Sequence, residues 1–163
     1  MALIIETGAG MPNANSYVTL AEYAAYAAAR GYTVGATDPI KEIELTKAMD
    51  YLEGCRDKFK GSKLLQQQAL QWPRVGVIVD GFSLSSSVIP VELKRAQMEL
   101  AHLSASLDLM PSGEYQDVAS AQLDTLNVSY HQGGSYKSVQ HKAVDALLYP
   151  LFKITGGLKV IRA

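Results

Sequence analysis

The strongest constraint on this fold is the stretch Ile89 to Leu109, IPVELKRAQMELAHLSASLDL, whose apolar residues recur at helical spacing. Pro90 suits a first helical position, where its missing N–H is no loss. Leu93, Ala96, Leu100, Leu103 and Leu107 follow at intervals of three and four and make one narrow stripe. Pro111 and Gly113 then stop the helix. Burying such leucines contributes roughly 1.5–3 kcal/mol each before conformational entropy is charged, which predicts a core helix. A second, weaker stripe runs along the other side through Val91, Met98, Ala101, Ala105 and Leu109. A two-sided helix is either central in its own bundle or wedged against a neighbouring subunit.

The remaining elements are shorter. Leu3-Ile4-Ile5 reads as a strand, and Gly8 to Ser16 as a loop. Thr19 and Glu22 form a T-x-x-E capping box before LAEYAAYAAAR, with Gly31 as its stop. Leu20, Tyr23, Ala24 and Ala27 share a face of this helix; its tyrosines either pack inside or face a partner. Asp38-Pro39 reads as a cap and first-turn proline opening a second helix, lined by Leu45, Ala48, Met49 and Leu52. Leu64 to Leu70 could add one or two helical turns. Trp72-Pro73-Arg74 reads as an anchor pinning a loop onto the core. Val75 to Val79 is extended before the Asp80-Gly81 turn signal. Leu126, Val128 and Tyr130 alternate with polar residues as a half-buried strand would, which places a small β-hairpin at about 117–131. A last helix is expected over Ser138 to Tyr149, with Val139, Ala143, Ala146 and Leu147 on one face. Gly156-Gly157 then uncouples a strand-like end, Leu158 to Ala163, which must pair with a sheet edge, its own or a partner's.

The 163 residues fit one domain with a real core. No run of apolar residues is long enough for a membrane span, and no secretory leader is expected. The formal net charge of −1 argues against an electrostatic nucleic-acid binder. The basic residues Lys94-Arg95 and the basic tail are not interleaved with aromatics as a stacking platform requires. Cys55 is the only cysteine, and His102, His131 and His141 fall at no metal-ligand spacing, so neither a disulfide nor a metal is expected. Gly8-x-Gly10 lacks the rest of a dinucleotide fingerprint, and no nucleophile elbow or P-loop occurs. Asp50, Glu53 and Asp57 read as a solvated helix face. The residues predict no enzyme and no cofactor.

Several stretches together resemble a family of small tailed-phage and prophage proteins. The opening LIIETGAGMPNANSYVTLAEYAAYAAARG resembles their strand, G-x-G-x-x-N-A-N-S-Y-x-S-L loop and following helix. KAMDYLEG, ALQWPR, VIPVELKRAQMELA and VDALLYPL match further along, in order and over most of the chain. Such proteins are often labelled DnaT-like single-stranded DNA-binding proteins, and they also look like head–tail connector adaptors. The chain departs from its relatives at Cys55-Arg56-Asp57-Lys58-Phe59-Lys60, where they commonly carry an arginine- and aromatic-rich run.

The adaptor likeness implies a mainly α structure: a bundle of about four helices over residues 1–154, a small β-hairpin and an extended C-terminal arm at 155–163. It implies a virion protein of the neck, in the host cytoplasm before assembly. Such a protein forms a homo-oligomeric ring, a dodecamer in similar adaptors, joining the portal protein to a tail-side connector or terminator. Non-specific contact with DNA in the channel goes with that position; a membrane does not. Portal binding falls on Leu158, Lys159, Val160, Ile161 and Arg162. Trp72, Arg74, Met98 and Tyr23 are expected as subunit-interface or fold anchors. The alternative carried by the other label is binding of single-stranded DNA.

Overall fold

A computed structural model describes residues 2–111 and 141–153. Within them lie four α-helices: α1 (Leu20–Ala28), α2 (Asp38–Gly54), α3 (Val91–Ser104) and α4 (Lys142–Leu148). Two two-stranded antiparallel sheets join them, β1 (Ser62–Lys63) with β2 (Arg74–Val75) and β3 (Ile78–Val79) with β4 (Phe82–Ser83). The described part is thus mainly α with small hairpins. The hairpin expected at 117–131 and the arm at 155–163 lie outside the described residues. No helix among those described is long and apolar enough to cross a membrane.

Local chemistry accounts for the helix ends. The Glu22 N–H donates to Thr19 Oγ1 at 3.1 Å and the Thr19 N–H to Glu22 Oε2 at 2.7 Å, closing the capping box on both sides. Gly31 ends that segment at φ +68°. In α2 the cap is Thr37 rather than Asp38, one residue earlier than the sequence suggested, and Pro39 lies in the first turn. Between β3 and β4, Asp80 (φ 51°) and Gly81 (φ 86°) both adopt the left-handed conformation that a tight two-residue hairpin turn requires.

Helix α3 is the centre against which α1, α2 and α4 all pack. Leu93, Ala96 and Leu100 are fully buried, and so are Leu45, Ala48 and Leu52 facing them from α2. Of the second stripe, Met98, Ala101 and Leu109 are buried as well, whereas Val91 and Ala105 are exposed. The two-sided helix is therefore central in its own domain, and most of the second stripe is covered by the chain itself. The helix ends at Ser104, earlier than expected, which leaves Leu107 outside it and half exposed.

Two expectations fail. Leu64 to Leu70 is not helical, because the Gln68 side chain holds it in an irregular turn. Its Oε1 accepts the Leu65 N–H at 2.9 Å, and its Nε2 donates to the Leu70 and Pro73 carbonyls at 2.8 and 3.0 Å. The last helix presents Val144 and Leu148 inward, with Leu151 following and Leu147 half-buried against the core, while Ala143 and Ala146 are exposed and Val139 lies outside the described residues. The bulkier β-branched and leucine side chains, not the alanines, occupy the α3 face; they hide more apolar area per residue.

Truncating Leu93 or Leu100 to Ala should cost about 2–5 kcal/mol in urea unfolding, since each leaves a cavity in a packed core. Leu107→Ala should cost far less.

Candidate functional site

The polar groups brought inside the protein come first, because chemistry would need them. Glu6 is buried, and its carboxylate accepts three backbone N–H groups: Gly8 at 2.8 Å, Gly10 at 3.0 Å and Met11 at 2.7 Å. It thereby shapes the Gly8 to Ser16 loop around itself. At Gly8 a Cβ would overlap the Ser87 carbonyl oxygen, so only glycine lets the loop press against the segment leading into α3. Asn15 Oδ1 accepts the Ile4 N–H at 2.7 Å. Gln97, fully buried on α3, accepts the Tyr17 N–H at 3.0 Å and donates to Ser16 Oγ at 2.9 Å. The Trp72 N–H donates to the Tyr17 hydroxyl at 3.1 Å. Burial drives the Tyr17 phenol well above its ordinary pKa.

The expected anchors occupy this interior. Trp72 has no exposed surface and meets Phe59 edge-to-face at 6.1 Å. Arg74 is buried too, its guanidinium donating to the carbonyls of Lys60 (2.7 Å) and Gly61 (2.8 Å) and, more weakly, to Gln71. Burial lowers the Arg74 pKa. Neither Trp72 nor Arg74 is free to stack on a base or grip a phosphate. Met98 is buried on α3. Tyr23 is fully buried, donating to Glu44 Oε2 at 2.8 Å. Trp72 and Arg74 meet around Phe59; Tyr23 and Met98 belong to other parts of the core. Leu158, Lys159, Val160, Ile161 and Arg162 lie outside the described residues.

A second polar group fastens α1 to α3. The Tyr26 and Tyr32 hydroxyls donate to the two carboxylate oxygens of Glu99 at 3.1 and 3.2 Å. Arg30 sits 3.6 Å over the Tyr26 ring, and His102 stacks on Tyr32 at 4.1 Å. Burial and the Glu99 carboxylate push Tyr26 up to about 12. Of the acids read as a solvated face, Asp50 and Asp57 are exposed, but Glu53 accepts the Gln71 N–H and side-chain amide, both at 2.9 Å. Among the described residues no three His, Cys, Asp or Glu side chains gather as a metal site would need. A shallow cleft of about 330 Å³ between the C-terminal half of α2 and the end of α3 is lined by Lys47, Asp50, Ser104 and residues 106–110.

The arrangement invisible in the linear sequence lies just past the C-terminal end of α2. The 3₁₀ turn Arg56–Lys58 runs into Phe59, and the turn Tyr149–Leu151 runs into Phe152. The two segments pair antiparallel: the Lys60 N–H donates to the Leu151 carbonyl at 2.9 Å and the Lys153 N–H to Lys58 at 2.7 Å. Lys60 Nζ bridges the Pro150 carbonyl (2.8 Å) and the Ile78 carbonyl (3.2 Å), tying the β3–β4 hairpin to the same corner. Lys58 Nζ stands 5.9 Å from the Phe152 ring, and Tyr149 is 69% exposed. Basic and aromatic side chains are thus interleaved along one edge.

Residues 1–163, the whole chain, match the family described as "Putative DnaT-like ssDNA binding protein". The chain belongs to this family. No curated protein and no solved structure matches it. For this DnaT-like chain the stretches that carry the phage-protein resemblance, the loop after Glu6 and Ala69 to Arg74, converge on the buried network rather than on an open cleft.

Two outcomes follow from these polar groups. Glu6→Ala orphans three N–H groups and should lower stability by about 3 kcal/mol or more in urea unfolding, whereas Glu6→Gln keeps one acceptor and should cost less. Tyr26 and Tyr51 are both pushed up to about 12 from the ordinary 10.0, Tyr51 chiefly by burial. Their neutral forms stabilise the fold fully below pH 10, and that contribution is lost as pH rises toward 12. Absorbance at 295 nm near pH 11 should therefore count fewer tyrosinates in the native protein than the nine that denaturant reveals.

Proposed function

We propose that this chain is a structural subunit of a tailed-phage virion, a head–tail connector forming a ring between the portal and the next tail-side component. The observation that carries the reading is where the polar side chains go. Glu6, Glu44, Gln97 and Arg74 all hold backbone or a tyrosine in place. Meanwhile large apolar residues stay outside: Ile40 and Ile43 on α2, Ile78 and Phe82 on the β3–β4 hairpin, and Val88 and Val91 at the start of α3. A protein whose polar interior is scaffolding and whose outer surface keeps apolar side chains suits assembly better than catalysis. The sequence resemblance to connector proteins over most of the chain supports the same reading.

Because Met98 and Ala101 are covered within the chain, the ring contact falls on these outer residues and not on the second stripe of α3. Leu158 to Arg162 are the portal-binding arm of this proposal. In a dodecamer, repetition would turn a weak arm contact into tight attachment through avidity. The neck of the virion is the site of action, after synthesis in the host cytoplasm. Deleting residues 158–163 should leave a folded protein with unchanged unfolding behaviour that no longer co-sediments with isolated portal rings. Unchanged docking of the truncated chain refutes the arm's role.

A second reading, binding of single-stranded DNA, is favoured by one observation, the interleaving of Lys58, Lys60 and Lys153 with Phe152 and Tyr149, and by the family description.

A further inference from the structure

We infer that the edge formed by residues 56–60 and 149–153 is a docking surface for single-stranded nucleic acid. The lysines hold the phosphate backbone there, and Tyr149 offers a ring to a base. The inference deepens the second reading above and rests on it. Its warrant is the way the chain builds this edge. Segments ninety positions apart are locked together by the Lys60–Leu151 and Lys58–Lys153 backbone hydrogen bonds. Phe59 and Phe152 meet across the pair with ring centroids 5.2 Å apart, Phe59 buried and Phe152 half-buried. That pairing gives the edge a rigid floor. Arg56, Lys58 and Lys153 stand exposed around it, and Lys60 is fixed between two carbonyls. The acids nearby are Asp57 in the same turn and Asp145 on α4, both exposed, so the edge keeps a cationic excess.

Charge alone would suit any polyanion. The exposed Tyr149, in the turn that runs into the Phe152 that Lys58 approaches, decides for a strand with free bases. Stacking rings on a basic track are how sequence-tolerant single-strand binders work, whereas a duplex hides its base faces. The paired backbones also mean that little ordering is needed on binding. Trp72 takes no part, because it has no exposed surface.

The test is fluorescence anisotropy of a labelled oligo-dT with the full chain, across a salt series. Wild type should bind at low salt, with affinity falling steeply as salt rises. Lys58→Glu with Lys153→Glu should weaken binding by about tenfold or more and flatten the salt dependence. Tyr149→Ala should weaken it roughly fivefold or more. Lys47→Glu, an exposed lysine on α2, removes the same kind of charge elsewhere and should change little. Circular dichroism establishes that each variant is folded. No binding by wild type at low salt overturns both the reading and the site. Binding that survives the double charge reversal, or that Lys47→Glu weakens equally, overturns the site and leaves the reading standing. Displacement by polyglutamate as effective as by unlabelled oligo-dT assigns the edge to acidic peptides and overturns the proposal.

Discussion

An irregular loop buried near a helix bundle carries backbone N–H groups that water cannot reach, and each must find an acceptor inside the protein. Here the segment from Gly8 to Tyr17 is such a loop, and the rest of the architecture is arranged around satisfying it. Glu6 takes three of its donors, and Gln97 takes the Tyr17 N–H from the middle of α3. Because Gln97 also reaches Ser16, one amide sets the distance between the loop and the central helix. The Tyr17 hydroxyl passes the constraint on to Trp72, and Arg74 passes it to the carbonyls at Lys60 and Gly61. Loop, central helix and β1–β2 therefore form one mechanical unit, with polar contacts inside an apolar shell.

That unit explains why α3 is apolar on two sides yet contains glutamine and glutamate at buried positions. One face receives α2 and the loop, and another receives α4, while Glu99 gathers the two tyrosines at the end of α1. Much of this was legible from residue spacing. The leucines of α3, the capping box at Thr19 and the α2 face from Leu45 to Leu52 follow local rules of period and capping, and they fold as those rules require. The buried polar residues did not stand out, because Glu6, Glu44 and Gln97 are ordinary surface residues by type. Gln97 did leave a trace: it falls four residues after Leu93 and three before Leu100, on the stripe itself.

The basic edge illustrates the opposite limit. Half of the edge comes from 56–60 and half from 149–153, so neither window shows the whole arrangement. Periodicity and motif spacing act within a window; pairing between distant segments does not appear there. Trp72 and Arg74, close together in sequence, both turn inward, since a tryptophan ring gains more by burial than by exposure. The segment Cys55 to Lys60, where the sequence departs from the pattern it otherwise resembles, is the one that the fold places at this edge.

The antiparallel join between 58–60 and 151–153 also bears on how the molecule is made. Val144, Leu148 and Leu151 complete the cover over α3. While the nascent polypeptide is still emerging from the ribosome, that side of α3 lacks these three side chains, although the loop and the first two helices have already been made. That cover is in place only once residues 144–151 have cleared the exit tunnel. Until then the flank of α3 that they will hide stays open, the last part of the described core to be sealed.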